Sequence, residues 1–265
     1  MVFNSSGDGI VSSVAQARVA LFVPCYVDLL RPEVGLAALA LLERSGARVE
    51  YPRAQTCCGQ PMANMGLSSD AARLARRFVE IFASYDYVVA PSGSCVAMVR
   101  RHYRDVIPDE PGLEALAART FELCEFLTDV LGVDAMPGRF PHRVLLHPSC
   151  HGLRELRLAG ASERNETARD KVRGLLASLA EIELVRPTRA DECCGFGGTF
   201  SLDEEPVAAM MGRDRLDDFE RAGAEIVTAT DTSCLAHLEG LIRRDRRPLR
   251  VMHVAEILAA AADAG

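Results

Sequence analysis

The chain is predicted to be an α/β protein built from two duplicated βαβ-type halves. Each half would have a parallel sheet with a cysteine cluster at the carboxyl ends of its strands. Three observations predict this. Apolar strand-like runs alternate with helical segments, the pattern of parallel βαβ units with right-handed crossovers. Nine cysteines occur in 265 residues, eight of them closely following such runs or the short loops after them. A Cys-Cys-Gly triplet occurs twice, at 57–59 and at 193–195.

Taken in order, VALFVP at 19–24 is a continuous apolar run ending at Cys25, as expected of a strand buried on both faces. Helical spacing runs from 34 to 45, and Gly46 is placed to cap it. ARVEYP makes a second strand that leads into Cys57-Cys58-Gly59. Residues 68–84 form an amphipathic helix with Leu74, Phe78 and Ile81 on one side. YDYVVAP is a third strand, followed by Ser92-Gly93-Ser94-Cys95 and a further helix.

The second half repeats the order. RVLLHPS leads to Cys150, a helix covers 165–180, and IELVRP runs into Cys193-Cys194-Gly195. A helix from about 204 to 222 precedes the strand AEIVTAT, Asp231-Thr232-Ser233-Cys234 and the helix LAHLEGLIRR. Residues 114–131 read as one or two connecting helices, and 249–262 as a final strand and helix. Arg53 and Arg189 each stand four residues before a cysteine pair, and PSGSC95 matches TDTSC234. Cysteine gaps are 31 and 36 residues in one half, 42 and 39 in the other. Matches in the same order along both halves mark an internal duplication. The expected organisation is a disordered leader at 1–17, a first half-domain at 18–110, a helical connection at 111–139 and a second half-domain at 140–265.

Composition narrows the chemistry. A net charge of −7 argues against nucleic acid or an anionic membrane as a partner. No apolar run approaches the roughly 20 residues of a membrane span, and the first residues lack a secretory pattern. A cytoplasmic protein is therefore expected, and clustered cysteines in a reducing compartment are metal ligands or redox groups more often than disulfides. Ligands of parallel sheets collect outside the carboxyl ends of the strands. The topology thus gathers Cys25, Cys57, Cys58 and Cys95 at one edge, and Cys150, Cys193, Cys194 and Cys234 at the other.

Three chemistries compete for four thiols: an iron–sulfur cluster, structural zinc and a dithiol–disulfide pair. Neither half has the compact C-x-x-C knuckle common in zinc sites, and long spacing across three strands favours a cluster. Gly59 and Gly195 would let the backbone turn sharply and offer N–H groups to sulfur. Arg53 and Arg189 are either charge partners of a cluster or solvated surface arginines. His147, His151 and His237 are read first as polar neighbours of the cysteines rather than as ligands. Cys124, within FELCEFL, is read as a small buried hydrophobe. GFGGTF does not fit a dinucleotide loop and is read as backbone wrapping the metal site. A chain with a cluster and no hydride or carbon-bond cofactor must exchange electrons with another protein, and no catalytic residue is assigned.

The duplicated pattern of Cys, Cys-Cys-Gly and a final Cys resembles the cysteine-rich CCG domain found in heterodisulfide reductase and in the iron–sulfur subunit of glycolate oxidase. FVPCYVDLLRPEVGLAALALLERSGARVEYPRAQTCCGQP, APSGSC, HPSCH and ECCGFGGTFS, together spanning nearly the whole chain, are most similar to the lactate-utilization protein A family. That resemblance implies a cytoplasmic subunit with an iron–sulfur cluster of the [4Fe–4S] type. It implies partners too: a ferredoxin-like iron–sulfur subunit and a third subunit, acting together to oxidise L-lactate (or another 2-hydroxy acid) to pyruvate. Full motifs of the domain end in C-x-x-C and give five cysteines per site. Here Ser92 and Asp231 stand at the first of those positions, which leaves four. An ordinary cluster, zinc in one half, or ligation by Asp231 are the alternatives. Rival functions are a heterodisulfide-reductase-like subunit acting on a disulfide, and a zinc-stabilised assembly protein.

Overall fold

The computed structural model describes residues 16–164 and 168–263. Residues 1–15, most of the stretch read as a leader, and 165–167, the start of one expected helix, lie outside the described residues. The chain divides into two compact units that meet between Asp134 and Ala135.

The first unit contains β1 (Arg18–Leu21), α1 (Cys25–Leu30), α2 (Pro32–Arg44), β2 (Arg48–Glu50), α3 (Gln60–Asn64), α4 (Ser68–Phe82) and β3 (Tyr87–Ala90). It continues with α5 (Gly93–Ala97), a π-helical turn (Met98–His102), α6 (Tyr103–Val106), α7 (Leu113–Ala118), β4 (Thr120–Glu122), α8 (Leu123–Glu125) and a second π-helical turn (Phe126–Val130). The strands form one parallel sheet in the order β2-β1-β3-β4. Val19, Ala20 and Leu21 of β1 and Val88, Val89 and Ala90 of β3 are buried, so the continuous apolar runs do occupy the covered centre of the sheet. Pro32 opens α2, and Gly46 at φ +87° closes it while Ala47 N–H reaches back to Leu42 O at 3.1 Å. That is the glycine-terminated stop expected there. On α4 the buried face is Ala71, Ala75, Phe78, Val79 and Phe82; Leu74 and Ile81 are half-buried at its flanks.

Thr120–Glu122 departs from the sequence expectation. It lies in the stretch read as helical connection, yet it pairs with β3 as the edge strand β4. Three residues passing straight into a helix carry neither a period nor a turn signal, so only the sheet reveals them.

The second unit contains β5 (Arg143–Leu146), a π-helical turn (His151–Glu155), a short 3-10 turn (Ser162–Arg164), α9 (Lys171–Ala177), β6 (Glu183–Val185) and α10 (Phe200–Asp203). After these come α11 (Glu205–Arg221), β7 (Ile226–Ala229), α12 (Thr232–Asp245), β8 (Arg250–His253) and α13 (Val254–Asp263). Its parallel sheet runs β6-β5-β7-β8, the same order as the first. The duplication holds at the level of single hydrogen bonds. Phe22 N–H donates to Val89 O at 2.9 Å just past β1, and His147 N–H donates to Thr228 O at 2.7 Å just past β5. Ala90 lies opposite Glu122 as Ala229 lies opposite His253, so the fourth strands correspond as well. In each sheet the chain reverses direction of winding between β1 and β3, or β5 and β7. That is the switch point where α/β sheets leave a crevice.

Candidate metal centre

In the first unit, Cys25 opens α1 just beyond β1, Cys57 and Cys58 lie on the loop from β2 to α3, and Cys95 sits in the first turn of α5. The sulfurs converge: Cys25 Sγ is 3.6 Å from Cys57 Sγ, and Cys58 Sγ is 3.4 Å from Cys95 Sγ. Gly59 at φ +86° turns the backbone under the pair, and its N–H points at Cys57 Sγ at 3.4 Å. The Tyr103 hydroxyl donates to Cys58 O at 2.8 Å and fixes the loop from beneath. Hydrogen bonding to Cys25, then to Cys58, then from Gly59 pulls the Cys57 thiol down to about 3, while the same contacts push Cys25 and Cys58 up. Ser92 caps α5, its hydroxyl accepting the Cys95 N–H at 3.4 Å.

The second unit repeats the arrangement. Gly195, at φ +91°, directs its N–H to Cys193 Sγ at 3.3 Å. Cys193 is drawn down to about 2 by hydrogen bonding to Cys150, then Cys194, with Gly195 adding to it. Cys194 contacts both Cys193 and Cys234 and is pushed well up. A difference from the first unit lies beside them. His147 brings a ring nitrogen to the site, and among the described residues His147, Cys194 and Cys234 have ligand atoms all within 4.8 Å of one another. His147 is 1% exposed, and neither of its ring nitrogens has a hydrogen-bond partner. Burial, then the nearby Arg215 charge, lower its pKa to about 4, so the ring is neutral and able to ligate at pH 7.

Asp231 is buried at the N-terminus of α12, where its carboxylate accepts a hydrogen bond from the Ser149 hydroxyl. His237 meets Ala208 O at 3.2 Å, and His151 pairs with Glu155 at 3.6 Å. Arg189 pairs with Asp214 at 2.7 Å and Glu192 at 3.2 Å, and Arg53 is exposed. Cys124 is buried directly after β4, its N–H donating to Glu122 Oε2 at 2.7 Å. In the sequence His147 ranks no higher than His151 or His237, because nothing local distinguishes it. A residue-by-residue alignment of the halves, which places it opposite Phe22, is the signal that singles it out.

The donor sets suit a thiophilic metal. Four thiolates held tetrahedrally about 2.3 Å from one metal lie about 3.8 Å apart. The pair spacings of 3.4 and 3.6 Å are close to that, so each pair can share a metal atom with little movement. Glycine N–H groups aimed at sulfur are the donors that stabilise ligated thiolate.

The cysteine-rich CCG domain matches this chain twice, at residues 19–100 and 144–239. Lactate utilization protein A of Geobacillus kaustophilus is 41% identical over 91% of this chain and 98% of its own length. Its counterpart in Halalkalibacterium halodurans is 39% identical over 91% of this chain and 96% of its own. A crystal structure of a hypothetical protein from Helicobacter pylori shares the fold, with a TM-score of 0.62 and 11% identity over 93% of this chain and 49% of that one. The chain belongs to the lactate utilization protein A family, with two CCG cysteine-rich domains in tandem.

Proposed function

We propose that the protein is the iron–sulfur electron-transfer subunit of a multi-protein system that oxidises L-lactate, or a related 2-hydroxy acid, to pyruvate in the cytoplasm. The observation that carries this reading is the pair of converged four-thiol sets, in a chain homologous along its length to proteins named for lactate utilization. Cys25, Cys57, Cys58 and Cys95 would hold one centre, and Cys150, Cys193, Cys194 and Cys234 the other. An iron–sulfur cluster, of the [4Fe–4S] type, supplies one-electron storage when bound. The protein's own part is to deliver thiolate ligands from three strand ends, to direct the Gly59 and Gly195 N–H groups at sulfur, and to keep the site partly covered.

Exposed leucines lie near both sets along the chain. Leu29 and Leu30 follow Cys25 on α1, and Leu202 lies on α10 just past the second Cys-Cys-Gly loop. Exposed apolar groups on the elements that carry or follow the cysteines suit docking of protein partners, here a ferredoxin-like iron–sulfur subunit and a third subunit. No helix among the described residues is long and apolar enough to cross a membrane.

Anaerobic purification with iron, sulfide and zinc analysis and EPR tests the reading. Iron and sulfide with a reducible EPR signal are expected; zinc in both halves without iron would sink it. Loss of growth on L-lactate after gene deletion, in a strain with no other lactate dehydrogenase, tests the substrate. Undiminished growth would count against lactate.

A further inference from the structure

The two halves share a backbone but differ in what lies beneath the cysteines. Phe22 and Phe78 pack edge to face there in the first unit, with ring centroids 5.0 Å apart and both side chains buried. His147 occupies the place of Phe22, as the matched hydrogen bonds to Val89 and Thr228 show. Arg215 occupies the place of Phe78. A Cβ on Gly59 would meet Ala71 and Leu74, and one on Gly195 would meet Ala208 and Met211; seven residues beyond Ala71 and Ala208 stand Phe78 and Arg215. The same contrast recurs beside β7. Thr228, Thr230 and Thr232 carry buried hydroxyls without a hydrogen-bond partner, where the first half has Val89, Pro91 and Gly93.

An imidazole with both nitrogens buried and unbonded forfeits its hydration with no return unless something binds it. Among the described residues, the groups within ligand distance that can share a metal with it are Cys194 and Cys234. We propose that His147 is a ligand of the second-half metal centre, joining Cys194 and Cys234, while the first-half centre is held by thiolates alone. The proposal rests on the reading that each half binds metal. His147 adds a neutral nitrogen donor to a half that already holds four thiols, so the donor sets of the two centres differ by one residue.

The test uses the intact protein, purified anaerobically from cells grown with unlabelled or 15N-labelled histidine. Pulsed EPR of the reduced wild type should show a directly coordinated histidine nitrogen whose coupling changes with the isotope. His147→Phe, which installs the first-half residue, should retain metal, lose that coupling and shift the potential of one centre only. His147→Gln provides the same comparison should the phenylalanine impair folding. Absence of a histidine coupling in the wild type, or its survival in the variants, overturns the proposal. If analysis instead finds zinc in the second half, the iron reading of that half fails independently. The zinc absorption edge then decides: a nitrogen neighbour lost on substitution supports His147, and an all-sulfur shell in the wild type overturns it.

Discussion

Gly59 and Gly195 show at residue scale how a shared motif can be under unequal constraint. Both have positive φ, where an L side chain costs about 1–2 kcal/mol. A Cβ on Gly59 would stand 3.3 Å from Leu74 Cβ, whereas one on Gly195 would stand 2.5 Å from Ala208 O and 2.9 Å from Met211 Cβ. Gly59→Ala should therefore cost about 1–2 kcal/mol in urea unfolding. Gly195→Ala should cost more, because α11 must also move away from the loop. Equal costs would contradict this account. The need for glycine after each cysteine pair was legible in the sequence, since two adjacent thiols can meet one centre only over a sharp turn. His147 was legible only through an alignment of the halves, which sets it opposite Phe22; its place beside Cys194 and Cys234 comes from the sheet.

At the scale of elements, α11 does more than cover the second sheet. Arg215 and Asp218, one turn apart and fully buried, grip the segment that leads into the cysteine pair. Asp218 accepts the N–H groups of Thr188 at 3.1 Å and Arg189 at 3.0 Å. Arg215 donates to the carbonyls of Arg189 and Ala190 and lies 4.6 Å over the Phe219 ring. Removing Arg215 leaves the buried Asp218 carboxylate with only the more exposed Arg221 at 3.8 Å and two N–H groups, so Arg215→Met should cost up to about 3–5 kcal/mol. It should also expose residues near 188–192 to protease before the rest of the unit opens. Uniform loss of protection would argue against a local grip. Sequence pattern located most strands and the long helices, because parallel strands are continuous apolar runs and α4 and α11 are several turns long. It missed α1 and β4, which have six and three residues; α1 is a short turn held between Pro24 and Pro32, and β4 passes straight into a helix. It also placed Arg215 nowhere in particular, since burial of an arginine leaves no periodic trace.

For the whole molecule, two compact units each carry a complete set of donors, so the metal content should divide by halves. Replacing Cys57 and Cys58 together by serine should remove about half the iron, and replacing Cys193 and Cys194 should remove the other half. Elemental analysis with circular dichroism checks both, and loss of all metal from either double variant would show that the centres are not independent. The duplication made this organisation readable from the matched order of cysteines, strands and helices in the two halves. What spacing could not convey is that the copies have diverged in their interiors, one lined by Phe22, Phe78 and Tyr103 and the other by His147, Arg215 and three threonines.

The convergence of sulfurs from three strand ends has a consequence for the chain as a polymer. A metal bound by Cys25, Cys57, Cys58 and Cys95 closes loops of 31 and 36 residues, and the second set closes loops of 42 and 39. Such closures restrict the unfolded ensemble as cross-links do, and the gain grows only slowly with loop length. Each centre, once loaded, would be a reversible staple across two crossovers of its sheet, and an oxidant or chelator that released the metal would unpin both crossovers in one event.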